Sequence, residues 1–311
     1  MTVQRALEQL ARDGFTVSRG KRGTFVHEHP PHLYRYGVML PIAHDEVGTA
    51  DQFGRILYQE ALRRQHRGDR HLTLYQSAAG YQQMLADFHA QRLAGLILQV
   101  SWHVANLPSA WQEVGLPVIG FGKTPPVPGM KMVDFDIWAV IHRALEALAG
   151  QGRRRVAVLL NGGDASFVNR ITVALANRGM ASDAHWVQIA PSAAPIAARH
   201  VVRLFMEARE RPDALLICDD SLVESATAGL LESGVWAPGE VEVIGHCNFP
   251  YPTPSHVPLR RLGFDVREIL RVSLDLIDRC RRKEQTPAVT EVAPVFEEEV
   301  GKQMSALEVV R

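Results

Sequence analysis

Cysteine is scarce in this chain of 311 residues. The three that occur, Cys218, Cys247 and Cys280, are widely spaced and odd in number, which argues against a disulfide framework or a zinc cluster. The chain also lacks an apolar run of membrane-spanning length, and its polar, periodic N-terminus is unlike a signal peptide. These absences predict a protein of the reducing cytoplasm that carries no metal or other cofactor.

Net charge is also absent, because 34 lysines and arginines balance 34 aspartates and glutamates. The first 26 residues are an exception, since they hold five cations against two anions, a local charge of +3. Positive charge concentrated at one end favours a local contact with nucleic acid over a generally basic protein. With 46% hydrophobic residues, the chain has room for two lobes and a short appendage.

Residues 3–26 have the pattern of a helix followed by a basic hairpin. Apolar residues recur at helical spacing from Val3 to Ala11, and Gly14 is placed to end the helix. β-forming residues then flank the turn 18–23, which holds two glycines and three cations. A cationic loop beside an amphipathic helix suits a phosphate backbone, and a solvated helix with an ordinary basic turn is the open alternative.

The strings TVQRALEQLARDG and GKRGTFV resemble the recognition helix and wing of a GntR-type winged helix-turn-helix. Gln4 and Asp13 are mild departures from that pattern. The resemblance implies that DNA is contacted by Thr2, Arg5, Arg19, Lys21 and Arg22. The two helices that precede the recognition helix in that family have no counterpart here. We therefore expect an incomplete DNA-binding domain (the DNA reader), through a late start codon or a real loss. A lone helix and hairpin bury little apolar surface, and we expect their order to depend on docking.

The remaining chain alternates strands and helices. Residues 28–35 form a linker in which Pro30-Pro31 predicts an extended spacer that blocks helix. Strands are predicted at 36–41, 71–76, 95–100 and 117–121, and again at 156–160, 186–189, 214–218 and 241–245, with helices between them. Two such series predict an α/β fold of two parallel-sheet lobes, with a ligand at the carboxyl ends of the strands in a cleft between them.

This order resembles the effector-binding core of LacI-type repressors, which share their fold with periplasmic sugar-binding proteins. The resemblance runs from about residue 36 to 299 and rests on segments including GVMLP, LAGLIL, LPVIGF, VDFD, CDDS, VIGHCN and LGFDVREIL. It implies a two-lobed, periplasmic-binding-protein-like fold. Lobe one is expected over about 36–124 and 262–284, and lobe two over about 133–250 and 286–300. The whole chain then resembles a GntR/LacI-type hybrid regulator.

The same resemblance implies an effector pocket made of polar groups at strand ends and aromatic walls. Beside Ala43, the candidate effector-binding residues are His44, Phe53, Ser77, Ser101, Trp102, Asp136, Asn161, Asp164, Arg170, Asp219 and Asn248. Arg170 is expected to grip ligand hydroxyls or a carboxylate through its fork of donors. Its alternative is an ion pair, with Asp164 or Asp219.

The VIGHCN turn departs from the family pattern. Relatives usually carry an aspartate where this chain has Cys247, which is a poor acceptor for sugar hydroxyls. Either Asn248 substitutes for that aspartate, or the ligand is of a class other than a simple monosaccharide. No further ligand or base is spaced to assist His246 and Cys247, which favours a structural role over a metal site or a thiol nucleophile.

These patterns predict a ligand-responsive, DNA-binding transcriptional regulator, expected to be a repressor and a homodimer. Its effector would be a small molecule such as a sugar or sugar derivative, and lobe closure would reset the spacing of two DNA readers. The main alternative is a small-molecule binding protein that has lost DNA binding with its incomplete reader. The N-terminal sequence does not support the alternative of an exported binding protein. The alternative of an enzyme is disfavoured because no nucleophile, base and orienting group are recognisable in the sequence.

Overall fold

The structure is a computed structural model that describes residues 2–40, 52–65, 70–98, 115–122, 128–181, 185–191 and 193–300. The chain divides into two compact units. The first unit comprises Met1–Glu46, Leu57–Asp134 and Ile269–Glu291, and the second comprises Val47–Ile56, Phe135–Glu268 and Val292–Arg311. Within the described ranges, every helix is too short or too polar to span a membrane.

Residues 2–26, the N-terminal segment, fold as a helix and a small hairpin, as the sequence predicts. Helix α1 covers Val3–Arg12, and strands β1 (Thr16–Ser18) and β2 (Thr24–Val26) pair antiparallel. The turn between them adopts left-handed backbone at Gly20 and at Gly23, with φ of 62° and 97°, which explains both glycines. Helix α1 has no buried residue, and even its apolar Val3 is 78% exposed.

Contacts at the end of α1 hold this segment on the first unit. The Asp13 carboxylate lies 3.0 Å from a guanidinium nitrogen of Arg92, and only 11% of the Asp13 side chain is exposed. The Phe15 ring stacks on the His32 ring with centroids 5.6 Å apart. The N-terminal segment is therefore anchored by an ion pair and a ring stack, while the apolar residues of α1 stay in solvent.

The prediction of an extended, helix-blocking spacer at Pro30-Pro31 holds for Pro30, whose backbone is extended, and is wrong from Pro31 onward. A short helix, α2, covers Pro31–Tyr34 and leads directly into the first strand of the next sheet. Proline is compatible with the first helical position, because its fixed φ is already helical and its missing N–H needs no partner there. Pro31 is also buried, so the helix start is fixed by packing.

The first unit contains a six-stranded sheet of order β13-β7-β6-β5-β3-β4, parallel throughout. Its strands are β3 (Arg35–Met39), β4 (His71–Tyr75), β5 (Gly95–Leu98), β6 (Val118–Phe121), β7 (Lys131–Asp134) and β13 (Val289–Glu291). Helix α3 (Gln52–Arg64) runs from the second unit into the first, and α4 (Ser77–His89) follows β4. Tyr75, Met84 and Phe88 belong to the core between α4 and the sheet.

A buried carboxylate organises polar groups within this unit. Asp87 on α4 is fully buried and accepts hydrogen bonds from the Tyr75 hydroxyl at 2.6 Å and from Arg35 at 3.1 Å. Arg92 forms an ion pair with it at 2.9 Å, and Gln83 donates at 3.2 Å. Because Arg92 also pairs with Asp13, this cluster connects the N-terminal segment to the core of the first unit.

The second unit contains a six-stranded sheet of order β14-β12-β11-β10-β8-β9, in which only β14 is antiparallel to its neighbour. Its strands are β8 (Val156–Leu160), β9 (Val187–Ile189), β10 (Ala214–Ile217), β11 (Glu242–Phe249), β12 (Arg260–Asp265) and β14 (Val295–Phe296). Its helices are α5 (Ile137–Gly150), α6 (Ala165–Ala176), α7 (Ile196–Glu207) and α8 (Val223–Glu232). Strands β8 and β10 are buried at every residue, which is typical of a parallel sheet covered on both faces.

The predicted α/β fold with two mostly parallel sheets is confirmed. The segment 262–284, assigned to lobe one from the sequence, is divided between the units. Strand β12 lies in the second sheet, where Leu262 and Phe264 are buried, whereas helix α9 (Val266–Arg281) belongs to the first unit from Ile269 onward. Strand β13, within the span 286–300 assigned to lobe two, pairs with β7 in the first sheet.

Candidate functional site

A cavity of about 370 Å³ lies within the second unit, beside the carboxyl ends of β8, β10 and β11. This edge is where ligands bind in open parallel sheets, and the volume suits a small ligand. The cavity is lined by Gln52, Phe53, Phe135, Ile137, Leu160, Asn161, Gly162, Gly163, Phe167, Cys218, Asp219, Asp220, His246, Asn248 and Phe264. The lining combines polar side chains with aromatic rings.

Asp219 and Asn161 form the first polar pair of the cavity. The Asn161 Nδ2 donates to Asp219 Oδ2 at 2.5 Å. The other carboxylate oxygen accepts from the Ser221 backbone N–H at 2.9 Å and from the Ser221 hydroxyl, which caps the short 3₁₀ helix Asp220–Leu222. These bonds fix the orientation of the Asp219 carboxylate at the end of β10.

Asp220 and Asn248 form the second polar pair, which lies deeper. The Asn248 Nδ2 donates to Asp220 Oδ2 at 2.8 Å, and the two residues are only 5% and 3% exposed. Burial is the largest cause that raises the pKa of Asp220, and the charge of Asp219 raises it further. The charge of His246 and the hydrogen bonds from Asn248 oppose that rise. The carboxylate of Asp220 is thus held in a setting that disfavours its charged form.

Strand β11 presents alternate residues to the cavity. His246 and Asn248 line it, whereas Cys247 between them packs with Phe249 and Val295 in a small apolar cluster. Cys247 is 1% exposed, and burial raises the pKa of its thiol. The His246 Nδ1 is buried and finds no hydrogen-bond partner among the described residues. A search of the described residues for clusters of three or more metal-ligating side chains finds none.

Phenylalanine rings form the apolar side of the cavity. Phe53 stacks on Phe135 with centroids 4.7 Å apart, and Phe135 meets the Phe264 ring at 5.7 Å. Phe167 follows the Asn161-Gly162-Gly163 turn, and its backbone N–H donates to the Asp164 carboxylate at the start of α6. Flat apolar rings together with polar side chains are suited to a ligand that has an apolar face and hydrogen-bonding groups.

The structure brings together some of the candidate effector-binding residues. Phe53, Asn161, Asp219 and Asn248 line the cavity. Ser77 begins helix α4 in the first unit. Ala43, His44, Ser101 and Trp102 lie outside the described residues.

Three further candidates occupy positions beside the lining residues. Asp164 caps α6 through its 2.8 Å bond with the Phe167 N–H, and Asp136 holds the N-cap position of α5. The Arg170 guanidinium lies 4.2 Å from the centroid of the Trp138 ring. The Arg170 guanidinium stacks on that indole, and no ion pair joins it to Asp164 or Asp219 within the described part of the chain. Ligand binding by these three residues stays a prediction.

Sequence reasoning missed several lining residues. Asp220 directly follows the predicted Asp219, and His246 lies two residues before the predicted Asn248, yet their direction depends on the 3₁₀ turn and on the strand alternation. Phe135, Phe167 and Phe264 come from three separate elements. A signal was present for two of them, because Phe135 directly precedes the predicted Asp136 and Phe167 lies in the first turn of α6 after the predicted Asp164. Phe264 has no predicted residue beside it.

The candidate DNA-contacting residues all lie on the N-terminal segment and are exposed. Thr2 takes the N-cap position of α1, and Arg5 lies in its first turn. Arg19 is 3.5 Å from Glu28 and stacks over the Phe25 ring. Lys21 and Arg22 form the exposed tip of the hairpin, so two cations project where the sequence predicts a wing.

A second cavity, of about 260 Å³, lies where the N-terminal segment meets the rest of the first unit. It is lined by Phe15, His32, Phe88, Gln91, Leu93, Ala94, Gly115, Leu116, Pro117 and Arg281. Burial, and secondarily the charge of Arg281, lower the pKa of His32. No carboxylate lines this cavity among the described residues, so it offers a ligand fewer acceptors than the cavity of the second unit.

Comparisons with known proteins bear on this fold. Residues 145–298 match the family model of the periplasmic binding protein-like domain. No match is found among curated proteins.

Solved structures of bacterial regulators are similar over most of the chain. A regulatory protein of the LacI family from Chloroflexus aggregans gives a TM-score of 0.63 at 19% identity, covering 84% of this chain and 96% of that one. The Escherichia coli transcriptional repressor ascG gives 0.62 at 18%, covering 85% and 97%. A LacI family transcriptional regulator from Arthrobacter sp. FB24, solved with lactose, gives 0.63 at 16%, covering 85% and 97%. The chain therefore has the two-sheet α/β fold of the periplasmic-binding-protein-like domain.

Proposed function

We propose that this chain is a ligand-responsive transcriptional regulator whose effector binds in the cavity of the second unit. The observation that carries the proposal is the juxtaposition of two amide–carboxylate pairs with phenylalanine rings at the carboxyl edge of a parallel sheet. The similarity to LacI family regulators, one of them solved with lactose, supports an effector of the sugar or sugar-derivative class.

DNA recognition is assigned to the N-terminal segment. In the proposed complex, Thr2 and Arg5 approach the DNA at the start of α1, and Arg19, Lys21 and Arg22 reach the adjacent phosphate backbone or minor groove. All five side chains are exposed, and Lys21 and Arg22 lie in the turn of the hairpin. The second candidate function, ligand binding without DNA binding, needs only the cavity of the second unit, whose described lining residues all belong to that unit.

Regulation follows from thermodynamic linkage. An effector that prefers one arrangement of the protein changes operator affinity by the same factor by which operator DNA changes effector affinity. We propose that the protein acts as a homodimer, so that the effector alters the spacing of two readers.

Lys21→Ala combined with Arg22→Ala tests the DNA-binding role. Each lost phosphate contact lowers the slope of log affinity against log salt by about 0.9, so the double variant is expected to flatten that slope by about 1.8. Fluorescence anisotropy with a random 30-base-pair duplex, between about 50 and 200 mM salt, measures the slope.

The control for this experiment is Arg209→Ala with Arg211→Ala, which removes two exposed cations from the second unit. Its slope should equal that of the parent protein. An unchanged slope in the Lys21 and Arg22 variant contradicts the wing assignment. A parent protein that fails to bind DNA while it binds a small ligand supports the second candidate function.

A further inference from the structure

Acidic side chains outnumber basic ones among the described residues that line the cavity of the second unit. The described residues that line it include two adjacent carboxylates, Asp219 and Asp220, and neither lysine nor arginine. His246 is the one lining residue of this described set that could become a cation. Like charges on neighbouring residues repel, and the charge of Asp219 does raise the pKa of Asp220. A positive group brought by a ligand would relieve that repulsion.

Cations close to the site in sequence have partners elsewhere. The Arg267 guanidinium donates to Asp265 at 2.8 and 2.6 Å, and Arg170 stacks on Trp138. Neither residue lines the cavity. The protein thus leaves the charge of Asp219 and Asp220 without a lysine or arginine at the described cavity wall.

Acceptor oxygens are prominent among the hydrogen-bonding groups of the cavity. Asn161 and Asn248 each use an Nδ2 donor on a neighbouring carboxylate and keep the Oδ1 as an acceptor. The carboxylates themselves accept only, and an ammonium group offers three donors and a positive charge. An anionic ligand such as a sugar acid or a sugar phosphate would add charge of the same sign as Asp219 and Asp220.

The aromatic side of the cavity favours the same ligand class. Phe53, Phe135 and Phe264 form a continuous set of ring contacts, and Phe167 also lines the cavity. The face of an aromatic ring carries partial negative charge and attracts a cation, while it also packs against C–H groups. Carboxylates and aromatic rings together provide a setting for a cation that is attached to a small carbon skeleton.

We propose that the effector is a small hydroxylated amine, protonated at neutral pH, whose ammonium group binds at Asp219 and Asp220. Amino sugars are the simplest members of this class, and the volume of about 370 Å³ matches a small ligand. The inference rests on the proposed function only in placing the effector in this cavity.

Isothermal titration calorimetry at pH 7 tests the proposal with matched ligands. The amines are D-glucosamine and D-galactosamine, and the neutral comparators are their N-acetyl forms and D-glucose and D-galactose. We expect an amine to bind at least about tenfold more tightly than its comparators, which is a modest preference for one charge-assisted contact. Asp220→Asn should remove the preference, and the Asn248 Nδ2 would still find an acceptor in the new amide.

Two controls keep the result interpretable. Glu207→Gln removes one carboxylate from an exposed position of α7, and it should keep the preference. Circular dichroism and thermal unfolding establish that Asp220→Asn is folded, and Asp219→Asn provides a second variant if it is not.

The outcomes separate this inference from the proposed function. Neutral sugars or sugar acids that bind as tightly as the amines overturn the amine assignment and leave a ligand-responsive regulator in place. An amine preference that survives both aspartate variants also overturns it. Failure of every ligand to bind overturns the inference, whereas DNA binding is decided separately by the Lys21 and Arg22 variant.

Discussion

Asp87→Ala is expected to lower the free energy of unfolding of the first unit by about 3–5 kcal/mol, the usual cost of removing one partner from a buried charged network. Asp87 is fully buried, and the side chains that donate to it are Tyr75, Gln83, Arg35 and Arg92. The two arginine side chains are only 27% and 22% exposed, so water would replace the lost carboxylate poorly. Urea denaturation followed by far-ultraviolet circular dichroism measures the change.

The matched control for Asp87 is Asp275→Ala. Asp275 also accepts from two arginines, Arg70 and Arg271, but the three side chains are each about one-third exposed. Exposed ion pairs contribute about 0–1 kcal/mol, so this variant should unfold close to the parent midpoint. If both variants lost similar stability, the Asp87 cluster would not be the buried anchor described here.

The Asp87 cluster also has a consequence for the N-terminal segment. Arg92 holds Asp87 and Asp13 at once, so its position depends on both carboxylates. Asp13 follows the last residue of α1, at the junction between the helix and the hairpin. In the Asp87→Ala protein the segment should therefore loosen together with the first unit, rather than independently of it.

Gly263→Ala is expected to destabilise the second unit by about 3 kcal/mol or more, at the upper end of the cost of overpacking. A methyl group at this position would overlap the backbone of Cys247, its register partner on β11. A backbone ladder cannot move aside as a side-chain tip does. Because Cys247 lies between His246 and Asn248, separating β12 from β11 would also displace two groups of the cavity.

Gly150→Ala is the control for this glycine. Gly150 ends α5, and a methyl group there would meet no heavy atom within 4 Å beyond its chain neighbours and the backbone of its own helix. The substitution should be neutral or slightly stabilising, because alanine has the higher helix propensity. Thermal unfolding compares the two variants, and ligand titration of any folded Gly263→Ala protein reports on the cavity. A Gly263→Ala protein with parental stability and affinity would contradict the close approach of these strands.

Much of the fold could be predicted from the sequence because its central strands are short, continuous apolar segments that are easy to recognise. Residues 156–160 and 214–217 are short apolar runs buried on both faces, and periodic helices separate them. Gly20 and Gly23 indicated the turn of the basic hairpin, because both adopt the positive φ that glycine tolerates best. The helix at Pro31 could not be predicted in the same way, because a proline pair usually favours extended backbone. Here the second proline of the pair begins a helix.

The candidate site was harder to predict than the fold. Asn161, Asp219 and Asn248 follow or end buried strands, so position along the chain was enough to nominate them. Asp220 is buried only because the 3₁₀ turn after β10 directs it toward Asn248. Cys247 departs from the family pattern in sequence, but it does not line the cavity. Residues alternate along β11, and Cys247 packs in the apolar cluster instead.

Hydrogen–deuterium exchange measures the location of the effector site most directly. The probe is whichever ligand of the amino and neutral sugar panel binds most tightly, at saturating concentration. We predict slower exchange in peptides that contain Asn161, Asp219 and Asn248. Slower exchange confined to peptides around Phe15, His32 and Leu116 would place the ligand in the other cavity and contradict the account.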